Sequence, residues 1–511
     1  MDRARGHLST RAGGLSRASL LYSLRAPVGV RTHLHRQLFE RLKHAILSGQ
    51  IQPGARLPST RSLAAELNVS RNTIVTAYEL LDTEGLIEAQ IGGGTTVRPL
   101  SERRFDFEHR ELDQVPFSHD PSTSVPQHAP FKVGVPAYLN FPMRAWNATV
   151  NRSARAQTVG DLAYQDTSGH IGLRRLLAAY LLTRRGLRCD VDQIVVVPGY
   201  QAGLNLVIRS LLQHGDQVWV EDPGHGPTRD TLRLNGMAAR PVPIDADGMM
   251  VKAGTDLWPD AKLAVVTPAH QFPLGMSMSD ERRRQLLDWA RSSRAWIVED
   301  DYDTEFHFAG KPPDSLAGTM SDERVVYIGT FSKVLFPSLR IGYAVIPPAL
   351  VGRFSEMRQV MDGHQPYFMQ DAVRRFIEEG SFDRHLGKMR ALYRKRRLDL
   401  VAAIADRTNG RLQPIEAAGG THLTALFEEG VDDVAFSEMT RRVGVETAPL
   451  ASFRIRRGHP GLVLGYSACS PTVLGETMDR LKVVLSARRY PKAAANKGKD
   501  ANLPRKIHRG I

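Results

Sequence analysis

Apolar positions near the start of the chain fall at helical spacing. Leu34, Leu38, Leu42, Ala45 and Ile46 form one such face, and the run ends in SGQIQPG (48–54), where Gly49, Pro53 and Gly54 break it. PSTRSLAAEL (58–67) predicts a second helix with Ser59 or Thr60 as its cap. NVSRNTIVTAYELLDTEG (68–85) predicts a third, capped by Ser70, with Ile74, Ala77, Tyr78 and Leu81 along one side. LIEAQIGGGTTV (86–97) reads as a short hairpin around Gly92, Gly93 and Gly94. Periodicity then fades over 99–130, which is charged at first and Pro- and Ser-rich afterwards, the pattern of a linker. From Phe131 to about Tyr490 short apolar runs alternate with helical stretches. QIVVVPG (193–199), QVWVED (217–222), LAVVTP (263–268), AWIVEDD (295–301) and VVYIGT (325–330) are the strand candidates, and such alternation predicts an α/β domain with a mostly parallel sheet. No internal repeat is visible.

The chain is therefore read as multidomain: a basic extension (1–28), a small helical head (29–98), a linker (99–130), an α/β body (131–487) and a basic tail (488–511). Its 511 residues agree with two to four domains. The net charge of +14 is unevenly placed: residues 1–98 carry +6 and residues 488–511 carry +7, leaving +1 for everything between. Basic ends around a near-neutral body point to contact with a polyanion. There is no run of about twenty apolar residues. The opening MDRARGHLSTRAGG is basic without an apolar core, which is not the pattern of a secretory leader. Two cysteines, Cys189 and Cys469, make neither a disulfide framework nor a metal site. The expected location is a bacterial-type cytoplasm, with no membrane partner and no bound metal.

Three short helices followed by a glycine-tipped hairpin form the α+β pattern of a winged helix-turn-helix. Its third helix would enter the major groove of double-stranded DNA and present Ser70, Arg71, Asn72 and Thr73 to base edges. Arg71 can pair bidentately with guanine, worth about 1–3 kcal/mol of discrimination. Arg61 is placed for a phosphate, and Gly92 lets the wing approach the minor groove. Residues 31–98 resemble the GntR family of winged-helix regulators almost position by position. That resemblance puts the family's DNA contacts on Arg61, Ser70, Arg71, Asn72 and the wing at Gly92. Val75 replaces a basic residue sometimes used in the recognition helix.

In the body, candidate chemistry gathers at the ends of the apolar strands, where α/β proteins place ligands. Lys333 lies in GTFSKVLFPSLRIGY (329–343), with Thr330 three residues before it and Arg340 seven after. Asp300 ends the strand of WIVEDDYDTEF and Tyr302 follows two residues later. PGYQAGLNL (198–206) is a strand-to-helix turn whose backbone N–H groups at Gly199, Tyr200 and Gln201 suit a phosphate. EDPGHGP (221–227) carries His225. Together these supply what pyridoxal 5'-phosphate requires. Lys333 would form the Schiff base, Asp300 would hold the pyridine nitrogen protonated, and Tyr302 would donate to the 3'-oxygen. His225 would stack on the ring, while Thr330, Arg340 and the turn at 199–201 would grip the phosphate.

In order along the chain, YQDTSGHIGLRRLLAAYLLTRRG, PGYQAGL, VWVEDPGH, VVTPAHQFPLG, VEDDYDTEF and TFSKVLFPSLRIGY resemble fold-type-I aminotransferases, over residues 131–487. A GntR-type head on such a body resembles the MocR-type regulators. The resemblance implies a three-layer body with a smaller C-terminal subdomain, and a head-to-tail homodimer in which Tyr164 reaches the neighbour's phosphate. Three departures stand out. Val463, in GLVLGYS (461–467), occupies the place of the arginine that grips a substrate α-carboxylate, and Arg454 and Arg456 nearby are not expected to replace it. His225 replaces a more usual tyrosine. Phe272 replaces an asparagine, and many MocR-type proteins share its HQFP form. The expected function is a regulator that is nucleoid-associated when bound to its operator and senses pyridoxal phosphate, an amine or an amino acid. Two other readings are an aminotransferase with a localising head and an inert body that only dimerises.

Overall fold

The computed structural model describes residues 34–90, 94–98, 129–319 and 324–486. Two compact units emerge, one within Met1–Gln114 and the other from Val115 onward. The basic extension, almost all of the linker, the basic tail and Gly92 lie outside the described residues.

The first unit has helices Leu34–Leu47, Thr60–Leu67 and Arg71–Thr83, followed by strands β1 (Ile87–Gln90) and β2 (Gly94–Val97). The strands are antiparallel, with Ile87 opposite Val97. The second and third helices start for local reasons. Ser59 caps the second helix by accepting from the Ser62 N–H, and Ser70 caps the third by accepting from the Thr73 N–H. Asn68 ends the second helix in the left-handed conformation, with φ of 55°, which asparagine tolerates better than most residues. Leu42, Leu63, Ile74, Ala77, Leu81, Ile87 and Val97 form a closed core. Leu34, read as part of the apolar face, is instead 51% exposed. Phe39, one residue beyond the Leu34–Leu38 step, is buried in its stead. The helical stripe is therefore rotated by a fraction of a turn relative to the sequence reading. The Tyr78 hydroxyl donates to the Pro58 carbonyl at 2.9 Å, tying the third helix to the segment before the second.

The second unit is built on an eight-stranded sheet. Its strands are β3 (Ile194–Val197), β4 (Gln217–Asp222), β5 (Ala238–Asp245), β6 (Gly248–Met249), β7 (Leu263–Val266), β8 (Trp296–Asp301), β9 (Val325–Thr330) and β10 (Gly342–Val345). The order across the sheet is β3-β10-β9-β8-β7-β4-β5-β6. The pairs from β9 to β5 are parallel, whereas β10 is antiparallel to both of its neighbours and β6 to β5. Buried on both faces, these strands read as continuous apolar runs, and alternate residues enter different cores. Along β3, Ile194 and Val196 join one cluster while Val195 and Val197 join another. A second, antiparallel sheet of β11 (Gln413–Pro414), β12 (His422–Leu426), β13 (Ala448–Pro449) and β14 (Gly461–Gly465) runs β11-β12-β14-β13. Helices Ser381–Arg407 and Pro471–Ser486 pack with it. None of the helices among the described residues is long and apolar enough to cross a membrane.

The topology gathers the chemistry at one edge. The carboxyl ends of β3, β4, β7, β8 and β9 all face the same way. Because β10 runs the other way, the residues leading into it arrive at that same edge. Gly342, its first residue, pairs with Val197 on one side and Thr330 on the other.

Candidate active site

Lys333 follows β9 in a turn that Thr330 braces: the Thr330 Oγ1 accepts from the Ser332 N–H at 3.2 Å and donates to the Ser332 Oγ at 3.0 Å. Thr330 is thus already engaged with its own turn. The Lys333 ammonium donates to the Gly134 carbonyl at 2.9 Å. Gly134 was not singled out from the sequence, and nothing in FKVGVP marks it. It has a φ of +80°, and a β-carbon there would lie 2.8 Å from Lys333 Nζ, so the lysine is covered at a place only glycine leaves open. Burial lowers the Lys333 pKa, against the opposing pull of Asp303 and Asp300. The free amine needed for attack on a carbonyl is thereby favoured.

Asp300, at the end of β8, is buried, and its Oδ1 has no hydrogen-bond partner among the described residues. Burial pushes its pKa well up, and Asp301, Glu221 and Asp303 push it further, against Lys333. A buried carboxylate oxygen without a donor is costly. A protonated ring nitrogen at that point would supply the missing donor. Asp301 faces the opposite way. It pairs with Arg185 at 2.5 Å and accepts from the Tyr327 hydroxyl at 2.5 Å. Arg185 also holds Glu305 at 2.7 Å, and Glu305 in turn holds Arg390 at 2.7 Å. This buried network anchors the strand that carries Asp300.

The turn after β3 begins at Gly199, with φ of +88°, and opens helix Tyr200–Leu211 with free N–H groups at its start. Arg340, also in the left-handed conformation with φ of 53°, donates to the Pro198 carbonyl at 2.7 Å. Arg340 and the helix start therefore make one cationic cradle. Gln201 is exposed. The Tyr200 hydroxyl instead bonds Thr228 Oγ1 at 2.9 Å, and Thr228 also meets His225 Nδ1 at 3.1 Å. Thr228 was missed from the sequence, although HGPT at a helix start was a signal for it. His225 sits between Tyr200 and Phe272, edge-on to both at 5.8 and 5.6 Å.

Tyr302 bonds His270 Nδ1 at 2.8 Å, and Asp303 Oδ1 meets the same nitrogen at 3.0 Å. The sequence reading assigned neither His270 nor Asp303 a role. Val463 is fully buried on β14 among Ile244, Leu274 and Leu450. Arg456 lies over the Trp258 ring at 6.0 Å, and burial lowers the Arg454 pKa despite Asp222 and Asp433. Tyr164 is 98% exposed.

In the first unit Arg61, Ser70, Arg71 and Asn72 are exposed around the start of the third helix. The Ser70 and Thr73 hydroxyls bond each other at 2.8 Å, so both are occupied by the cap. Arg71 donates to Thr60 Oγ1 at 3.4 Å. The exposed Arg56, also missed, lies against the wing: a β-carbon on Gly94 would fall 2.5 Å from its Nε.

The aminotransferase class I and II family model matches residues 129–480. The model of the bacterial regulatory proteins of the gntR family matches residues 34–97. The chain is 35% identical to the probable rhizopine catabolism regulatory protein MocR of Rhizobium meliloti, over 88% of this chain and 93% of that protein. It is 30% identical to the HTH-type pyridoxine biosynthesis transcriptional regulator PdxR of Corynebacterium glutamicum, over 81% of this chain and 88% of that one. Among solved structures, the kynurenine aminotransferase of Pyrococcus horikoshii, solved in complex with PMP, matches with a TM-score of 0.65 and 25% identity, over 70% of this chain and 90% of that chain.

Proposed function

The chain belongs to the MocR-type family, a GntR-type head on an aminotransferase-like body, and from that membership we propose a transcriptional regulator whose DNA binding responds to pyridoxal 5'-phosphate and to an amine. The observation that carries the cofactor is the unpaired, buried Oδ1 of Asp300 at the same sheet edge as the buried Lys333 amine. The residues present fit the group. Lys333 would hold it covalently, Asp300 would take the pyridine nitrogen, and Tyr302 the 3'-oxygen. The cradle of Gly199, Tyr200, Gln201 and Arg340 would take the phosphate beside Thr330, and His225 and Phe272 would flank the ring. When bound, the cofactor supplies a carbon that exchanges one amine for another. The site then reads amines by covalent exchange, and its neighbours decide which amine stays.

Val463 favours a sensor over a catalyst. An apolar side chain enclosed by Ile244, Leu274 and Leu450 cannot pair with an α-carboxylate. We place the protein in the cytoplasm, at its operator on the nucleoid, as a head-to-tail homodimer; the exposed Tyr164 supports a partner at that surface. Arg61, Arg71, Asn72 and Arg56 form the polar face offered to DNA, and Arg56 lies against the wing strand at Gly94. The test compares operator binding by cofactor-free, cofactor-loaded and amine-loaded protein across a panel of amines. A change in affinity or footprint with one amine is expected. Identical binding in all three states would overturn the reading.

A second reading, an aminotransferase, is favoured by the intact Lys333 and Asp300. It requires sustained turnover of an amino donor with a keto acceptor, against the single exchange expected here.

A further inference from the structure

Tyr302 and Asp303 both reach the same nitrogen of His270. The Tyr302 hydroxyl lies 2.8 Å from Nδ1 and the Asp303 Oδ1 lies 3.0 Å from it. A neutral imidazole carries one proton, so the two contacts cannot be equivalent. If Nδ1 carries the proton, it donates to Asp303 and the Tyr302 proton is free to point elsewhere. If Nδ1 is bare, Tyr302 must donate to it, and Asp303 Oδ1 faces a lone pair. The second arrangement would also place a proton on Nε2, which is buried and has no acceptor among the described residues. An unsatisfied buried N–H is costlier than a bare lone pair.

The ring has little freedom to escape this choice. A β-carbon on Gly420 would fall 2.2 Å from His270 Cε1, and one on Gly275 would fall 3.2 Å from Nε2. Both glycines have positive φ, +96° and +90°. The imidazole is seated in a slot that two glycines keep open.

We infer that Asp303 and His270 are a positioning pair for Tyr302: the carboxylate fixes the imidazole with its proton on Nδ1, and so leaves the Tyr302 hydroxyl to donate to the cofactor's 3'-oxygen. Phe272 makes this consequential, because its side chain has no donor for that oxygen. His422 is a neutral neighbour. Burial holds its pKa down at about 4, and its Nε2 meets the Pro273 carbonyl at 3.1 Å. The other titratable groups around the pair are Asp300, Glu221, Tyr466, Lys333 and His307. The inference rests on the reading that Lys333 holds the cofactor.

The experiment measures the pH at which the visible absorption of cofactor-loaded protein changes, in wild type, Tyr302→Phe, Asp303→Asn and the double variant. A donor on the 3'-oxygen drains the charge that stabilises the neighbouring imine proton. Losing that donor therefore raises the midpoint. Asp303→Asn lets His270 accept from Tyr302 and is expected to raise the midpoint by about one pH unit. Tyr302→Phe is expected to do the same, and the double variant to add nothing. Simple loss of the Asp303 charge predicts the opposite sign, a lower midpoint. A lowered or unchanged midpoint in Asp303→Asn, or an additive double variant, overturns the inference. If Asp303→Asn does not fold, ring-nitrogen NMR of wild type, assigned with His270→Gln, decides instead. A proton on Nδ1 supports the pair and a proton on Nε2 overturns it. If wild type gives no visible band that depends on Lys333, the cofactor reading fails, and the NMR result still stands by itself.

Discussion

Arg340 closes over Gly199. Its guanidinium donates to the Pro198 carbonyl at 2.7 Å, and a β-carbon on Gly199 would lie 3.3 Å from Arg340 Nη1. Gly199 lies two residues beyond Val197 and Arg340 two residues before Gly342, and Val197 and Gly342 pair across the sheet. One sheet register therefore sets the distance between the arginine and the helix start.

Gly199→Ala tests that closure. At φ of +88° and ψ of 178° an alanine is strained by about 1–3 kcal/mol. Its methyl would also press on the guanidinium. Titration of the visible band with pyridoxal phosphate should show at least about tenfold weaker binding, the equivalent of about 1.4 kcal/mol. Unchanged affinity would mean that the cradle does not hold the phosphate.

The buried Glu221 gives a pH signature. Burial raises its pKa to about 7, against the bonds it accepts from Thr267 and Gln271. The folded chain thus holds this proton more tightly than the unfolded chain does. Its contribution is fully present below the ordinary value of 4.5 and is lost as pH rises toward about 7. Glu221→Gln removes the titration. Relative to wild type, the variant should gain stability between about pH 4.5 and 7, by an amount on the order of 3 kcal/mol, and then level off. Urea unfolding across that range checks this, and a constant difference would refute it.

Legibility in the sequence followed physical range. The strand ends carrying Asp300, Lys333 and Arg340 stood out because apolar runs of β length stop there and charged residues follow. The helix caps at Ser59 and Ser70 were equally local. His270 and Asp303 were not legible, because their contact joins two loops 33 residues apart. Gly134 was hidden for the same reason, lying 199 residues from the lysine it covers. Leu34 was misplaced because a helical stripe read from spacing alone is uncertain by about one residue. Thr330 was assigned to a phosphate on chemistry alone, whereas its hydroxyl is already spent within the Lys333 turn.

Restoring the missing arginine should not restore an enzyme. Val463 is enclosed by Ile244, Leu274 and Leu450, with Phe453 and Met276 at its margin. Val463→Arg would bury a guanidinium without a carboxylate, at a cost of several kcal/mol. The expected result is a lower melting temperature, with no gain in spectral response to amino acids over amines that lack a carboxylate. A stable variant that newly responds to amino acids would show that the α-carboxylate subsite survives here.

Two adjacent residues of the head should fail in different ways. The Ser70 hydroxyl accepts from the Thr73 N–H at 3.2 Å and bonds the Thr73 hydroxyl at 2.8 Å, so its work is to start the helix. Ser70→Ala should cost about 1 kcal/mol of head stability. Its effect on DNA should be the same for every sequence. Among the described residues Arg71 donates one hydrogen bond, to the Thr60 hydroxyl at 3.4 Å, and makes no ion pair, so its guanidinium is available. Arg71→Ala should leave stability almost unchanged and cost about 1–3 kcal/mol of operator affinity, relaxing specificity at one base pair. Competition between operator and random DNA separates the two cases. If Arg71→Ala weakens both DNAs equally and lowers the salt dependence by about one ion, the arginine reads a phosphate and not a base.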